Sequence, residues 1–165
     1  MDKTAWIPIA EGQPGINQIL AQLSALKTYY GSLPAIRSAA LAIASSQVND
    51  DDSGNVDRLT RFVRKAVIYV KDPLNSEFTQ TPDVLLLAIH KNGSAQGDCD
   101  DHVLLFASLA ESLGIPVQVA GVKTQDSDIV NHVIAIAWPN GQPQQIDLCA
   151  KAGFNPTYQN PVVVE

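Results

Sequence analysis

The chain has 165 residues, of which 45% are apolar and 17% charged, with a net charge of −6 and two cysteines. That length favours one domain with a real core, and the composition excludes a disordered chain, a collagen and a coiled coil. An acidic balance without a Lys/Arg cluster argues against nucleic acid or an anionic membrane as partner.

The start, Met1-Asp-Lys-Thr-Ala-Trp-Ile-Pro8, lacks the charged and apolar regions of an export signal, and no apolar run reaches the ~18 residues of a membrane span. The expected compartment is a reducing cytosol, in which Cys99 and Cys149 are thiols rather than a disulfide.

Periodicity predicts helices through the first half. Ile16, Ile19, Leu20, Leu23 and Leu26 form one stripe after the breaker at 12–15, ended by Gly31. Pro34 suits the first position of a second helix over the Ala-rich stretch 35–46, with Ser32 as a nearby cap. An acidic loop, Asn49–Asn55, follows. With Gly54 set at the sixth position of a calcium loop, the twelfth is Thr60 and not the Glu that would chelate, so this reads as a solvated loop capping the next helix. A third helix is predicted over 56–70, with Leu59, Phe62, Val63, Ala66 and Val67 on its apolar side, broken by Asp72-Pro73.

Residues 72–82 read as loop. Pro82 opens a short helix through Val84, Leu85, Leu87 and Ala88, and Lys91–Gly97 reads as turn. Cys99–Leu113 is the strongest helix, with Gly114 as its C′ residue and Pro116 as its stop. The period then changes to two, predicting strands at Val117–Lys123, Asn131–Trp138 and Gln144–Cys149. The last two flank Asn140-Gly141, a strong hairpin signal. Helices followed by an antiparallel meander make the fold class α+β. One domain, 1–165, is expected, with a helical N-terminal part (1–55) packed on a core (56–165).

The segment Gly97-Asp-Cys-Asp-Asp-His102 puts Cys99 at the first turn of that strongest helix, where free N–H groups and the helix dipole favour a thiolate. Asp98 suits the N-cap. The carboxylates of Asp98, Asp100 and Asp101 work against the thiolate. A nucleophilic cysteine needs a base, and the base an orienting group. His132 opens one strand of the hairpin and Asp147 lies in the other. A two-residue Asn140-Gly141 loop makes cross-strand partners sum to 281, which puts His132 and Asp147 on one face as diagonal neighbours. A slip of one residue would separate them.

The order Cys, His, Asp resembles the transglutaminase-like superfamily of papain-like cysteine enzymes, over roughly 56–149. The resemblance lies in Gly-x-Cys opening a long helix, Leu113-Gly-Ile-Pro116 after it, His-Val in one strand and Ile-Asp in the next. Ile36-Arg37, Ala42-Ile43, Tyr69-Val-Lys-Asp-Pro73, Glu77, Thr81-Pro82 and Gly97–His102 are similar to a phage- or prophage-encoded branch. That resemblance implies a Cys helix packed on an antiparallel sheet. It implies Cys99 as nucleophile, His132 as base and Asp147 as orienting group, acting on an amide in a protein or peptide substrate without a cofactor. It also implies an oxyanion donor upstream of the cysteine, for which Tyr69 and then Gln96 are the candidates. A bacterial host cytoplasm, or a virion, is the implied setting.

Two other readings stay open at this point. Cys99, His102, His132 and Cys149 are four zinc-competent side chains, although their spacing is not that of a standard zinc site. The domain could also be catalytically silent and serve as an assembly or binding module. His90 reads as a surface histidine.

Overall fold

The computed structural model describes residues 7–44, 51–73 and 76–164. In chain order they form α1 (Gln13–Gly31), α2 (Pro34–Ala44), α3 (Asp52–Ala66), β1 (Val67–Tyr69), α4 (Pro82–Asn92), β2 (Ala95–Gly97), α5 (Cys99–Ser112), β3 (Val117–Val122), β4 (His132–Ala137), β5 (Gln144–Ile146) and β6 (Val162–Val163). The architecture is α+β.

α5 is the axis of the fold. Twelve of its fourteen residues are buried, because α1, α2 and α3 pack around it and the sheet closes the remaining side. Its Leu104, Leu105, Phe106 and Leu109 share one core with Leu20 and Leu23 of α1, Ile36 of α2, and Leu59 and Val63 of α3. Each such side chain stabilises the fold by about 1.5–3 kcal/mol. α1 and α2 are also tied to α5 by polar groups: Lys27 pairs with Glu111, and Arg37 donates to the Ser112 carbonyl.

The main sheet has the order β5-β4-β3-β6, antiparallel throughout. Val117 and Val119 of β3 face the helices, whereas Ala120, Val122, Ile134 and Ile136 face outward under Trp138, Tyr158 and Val163. Alternation along the strands sorts these residues to the two faces.

Several boundaries differ from expectation. The third helix starts at Asp52, inside the acidic loop, where the Asp51 side chain accepts from the Gly54 N–H at 3.1 Å. It stops at Ala66, and the residues expected to continue it form β1, which pairs in parallel with β2 in the supposed turn 91–97. Val67-Ile68-Tyr69 is β-branched and aromatic, and pairing outweighs the helical period there. Ser32 does not cap α2; its hydroxyl donates to the Tyr29 carbonyl at the end of α1. The expected end of α2 at 45–46 and the first part of the acidic loop lie outside the described residues. Among the described residues no helix is long and apolar enough to cross a membrane.

Candidate active site

The Gly97–His102 segment is locked from several sides. Asp98 is the N-cap of α5: its carboxylate accepts from the N–H groups of Asp100 (3.1 Å) and Asp101 (3.4 Å). Asp101 Oδ2 in turn accepts from the Asp98 N–H at 3.2 Å, which completes a capping box. The Gln80 N–H donates to Asp101 Oδ1 at 2.6 Å and fastens the preceding loop to the same carboxylate. Gly97 has no room for a side chain, since a Cβ there would lie 2.7 Å from that of Asp101. The His102 ring nitrogens face two carbonyls, Asp98 O at 2.6 Å and Val67 O at 3.0 Å, tying α5 to β1.

Cys99 is thus the first residue of a helix whose end is capped from both sides. Its own N–H has no acceptor among the described residues and is available to a ligand.

The hairpin supplies the other two residues. Asn140 and Gly141 have φ of 54° and 77°, and the Gln142 N–H donates to the Pro139 carbonyl at 3.1 Å. These are features of the tight turn that Asn-Gly favours. Ala135 pairs with Ile146 and Ala137 with Gln144, the register summing to 281. β5 ends at Ile146, so Asp147 lies just beyond the strand and not within it. His132 Nε2 is 2.9 Å from Asp147 Oδ1. The bond takes up Nε2 and leaves Nδ1 for another partner.

Asp147 is 5% exposed and well supplied with donors. Besides His132 it accepts from the Cys149 N–H on Oδ1 (3.0 Å) and from the Tyr158 hydroxyl on Oδ2 (2.7 Å). Burial pushes its carboxyl up, but the bonds from His132 and Tyr158 outweigh this and hold it below its ordinary range. Arg64 donates to its carbonyl oxygen at 2.6 Å, and Asn155 accepts from its N–H at 3.2 Å.

Cys99 and His132 line one cleft of about 580 Å³, together with Tyr69, Asp72, Glu77, Asp98 and Asp100. Ile7, Ile9, Ile16, Ile19 and Leu20 form its apolar wall. The Cys99 thiol donates to Asp100 Oδ1 at 3.7 Å. Burial first, then Asp100 and Asp98, push the thiol upward, while the Val133 N–H pulls it down. That opposes the helix end, which favours the thiolate. Burial also pushes Asp100 up to about 8, with Asp98, Glu77 and Asp101 adding to the effect. Asp100 therefore carries little charge at neutral pH. Burial, followed by Cys99, raises the Tyr69 phenol, which keeps it a hydrogen-bond donor.

Gln96 is exposed and lies away from the cleft; its carbonyl accepts from Gln80 Nε2 at 2.7 Å. The four zinc-competent side chains do not form one ligand set among the described residues. The groups close enough to share a cation there are Asp98–Cys99–Asp100 and Asp72–Glu77–Asp98, and His102 has both nitrogens engaged by carbonyls. His90 is exposed at the end of α4. Sequence reasoning missed Tyr158, Asn155 and Arg64. None belongs to a motif: Arg64 reaches Asp147 from 83 residues away, and Asn155 and Tyr158 return to it from the irregular stretch that follows.

A family model of the transglutaminase-like superfamily matches residues 39–143. The chain belongs to the transglutaminase-like superfamily. Solved structures of similar fold include a "putative protease" from Parabacteroides distasonis ATCC 8503, at 12% identity and a TM-score of 0.59 over 90% of this chain and 31% of that one. Another is a "putative cysteine protease" from Cytophaga hutchinsonii, at 16% identity and a TM-score of 0.54 over 88% of this chain and 42% of that one. This transglutaminase-like chain therefore spans less than half the length of either protein. No curated protein matches it. The superfamily match accounts for the α+β fold and for the helix that carries Cys99; it ends four residues before Asp147.

Proposed function

We propose that the chain is a cysteine-dependent hydrolase or acyltransferase acting on an amide of a protein or peptide. Cys99 is the nucleophile, His132 the general base and Asp147 the residue that orients the imidazole. The observation that carries this reading is the His132–Asp147 bond of 2.9 Å at the rim of the cleft that also holds Cys99. A transglutaminase-like fold supports it.

The Cys99 sulfur attacks the amide carbon while the thiol proton passes to His132 Nδ1. The Cys99 N–H and the Tyr69 hydroxyl donate to the oxyanion. The C–N bond breaks, the leaving amine takes the proton from His132, and a thioester remains. Water or a second amine then attacks the thioester and gives its proton to His132. The C–S bond breaks, and Cys99 recovers the proton. Asp147 fixes the imidazole tautomer and stabilises the imidazolium at each step.

The segments from Ile36 to His102 that are similar to a phage- or prophage-encoded branch support action in a bacterial host or a virion. A catalytically silent binding module is the second reading, favoured by the burial, and after it the neighbouring carboxylates, that raise the Cys99 thiol.

Iodoacetamide labelling at pH 6–7 tests the two readings. The enzyme reading expects Cys99 to label well ahead of Cys149 and to slow in His132→Ala. Equal, slow labelling of both cysteines supports the silent module, and stoichiometric zinc by metal analysis would overturn both.

A further inference from the structure

The stretch after Asp147 carries no motif, yet it returns to the site. The chain turns at once, with the Ala150 N–H donating to the Asp147 carbonyl at 3.2 Å, and later forms β6 against β3. On the way, Tyr158 is fixed by its main chain. Gln145 Nε2 donates to the Tyr158 carbonyl at 3.0 Å, and the Tyr158 N–H donates to Gln145 Oε1 at 2.8 Å. Asn155 Nδ2 adds a bond to the Gln145 carbonyl at 2.7 Å.

None of these bonds uses the phenol. Its hydroxyl donates instead to Asp147 Oδ2 at 2.7 Å, with the ring 6.1 Å from that of His132. Burial and the neighbouring carboxylate both push the phenol upward, so it stays protonated and remains a donor. The last torsion of a carboxylate has only a broad preference of its own, and turning about it moves both oxygens together, so a bond to either oxygen restrains the other. His132 and the Cys149 N–H both bind Oδ1, and Tyr158 restrains the same torsion from the other side through Oδ2.

We propose that Tyr158 is a positioning residue: its hydroxyl holds the Asp147 carboxylate in the plane that aims Oδ1 at His132 Nε2. The inference rests on the Cys99–His132–Asp147 reading above. Tyr158 acts in two opposing ways. Donating to the carboxylate lowers its proton affinity and weakens its pull on an imidazolium, whereas fixing its plane strengthens that pull. The fixed plane dominates, because orientation decides how a buried, preorganised pair performs.

The test compares wild type, Tyr158→Phe, Asp147→Asn and the double variant. It reads the rate of iodoacetamide labelling at Cys99 over pH 6–8 and the melting temperature. Phe keeps the ring and the Gln145 clamp, so melting should change little. Labelling of Tyr158→Phe should slow by roughly 3- to 10-fold at pH 6–7, less than the full worth of a hydrogen bond to a charged group because Tyr158 acts through Asp147 and its two effects oppose each other. It should slow no further when Asp147 is already Asn.

A second measurement follows the His132 Nε2–H resonance in protein labelled with ¹⁵N-histidine and assigned through His132→Gln. It should be sharp in wild type and broadened in Tyr158→Phe, and it decides the matter at low temperature if that variant melts early. Unchanged or faster labelling with a sharp resonance in Tyr158→Phe overturns the proposal, as does equal slowing in the Asp147→Asn background. Asp147→Asn that labels like wild type removes the underlying triad reading itself, and this proposal with it.

Discussion

The Cys99 thiol donates to Asp100 Oδ1 at 3.7 Å, so the would-be nucleophile sits against a carboxyl with no other donor among the described residues. Burial pushes that carboxyl up to about 8. Below this pH it is mostly protonated and opposes the thiolate little; above it, the charge appears beside the sulfur. Asp100→Asn removes the charge at every pH. Cys99 in this variant should alkylate within about twofold of wild type at pH 6, and about 10-fold faster near pH 9, for one charge within ~4 Å. Parallel profiles for the two proteins would mean that Asp100 is ionised throughout.

The same carboxyls set the pH dependence of stability. Asp100 is pushed up to about 8 and Asp101 up to about 7, in both cases chiefly by burial. Both lie above the unfolded value of about 3.9, so the folded protein binds protons more tightly and their contribution is lost as pH rises through about 7–8. Asp147 is depressed, so its contribution is present above the unfolded value and lost as pH falls through its folded one. Thermal melts should peak near pH 4–5 and decline toward pH 8, and Asp100→Asn should flatten the decline. Flat wild-type melts from pH 5 to 8 would show that these carboxyls are not raised.

Lys27 and Glu111 form an ion pair with side chains 10% and 21% exposed. Lys27→Met leaves Glu111 without its partner and should destabilise the protein by about 1–3 kcal/mol, below the full figure for a buried pair because Glu111 keeps some water. Urea denaturation measures the change. The staple also bears on the one-domain proposal. Limited proteolysis near 45–55 should not yield a stable folded 56–165 fragment, and recovery of one would refute that organisation.

Gly97→Ala puts a methyl 2.7 Å from the Asp101 side chain. Asp101 must then move, and its bonds to Asp98 and Gln80 loosen with it. We expect a loss of about 1–3 kcal/mol in denaturant titrations. Cys99 labelling should slow as well, since the helix end that holds the sulfur is displaced.

The order of helices, the cysteine helix and the hairpin register were legible in the sequence. Periodicity marks long elements, and Asn140-Gly141 fixes which residues face each other. The same register brings His132 to Asp147, although Asp147 stands one residue past the strand. β1, β2 and β6 were not legible, because three residues or fewer show no period and their partners lie far away in sequence. The Tyr158–Asp147 bond left no local trace either, since the tail is positioned by Gln145 and by pairing with β3. Gln96 illustrates the converse. Its place beside the Gly97–His102 segment made it a candidate, but strand alternation turns it away from the cleft.

The apolar wall beside Cys99 comes from Ile7, Ile9, Ile16, Ile19 and Leu20, all of which precede the stretch shared with the superfamily, 39–143. The apolar side of the cleft is therefore written ahead of the stretch that carries Cys99 and His132, whereas its polar side, with Tyr69, Asp72 and Glu77, lies within that stretch. On α1, Ile16 and Ile19 are only partly buried and can be exchanged, whereas Leu20 belongs to the core around α5. Relatives that keep the Cys helix and vary this first helix would share a reaction while accepting different substrates. An engineer seeking altered selectivity should randomise positions 16 and 19 before touching any residue of the Gly97–His102 segment.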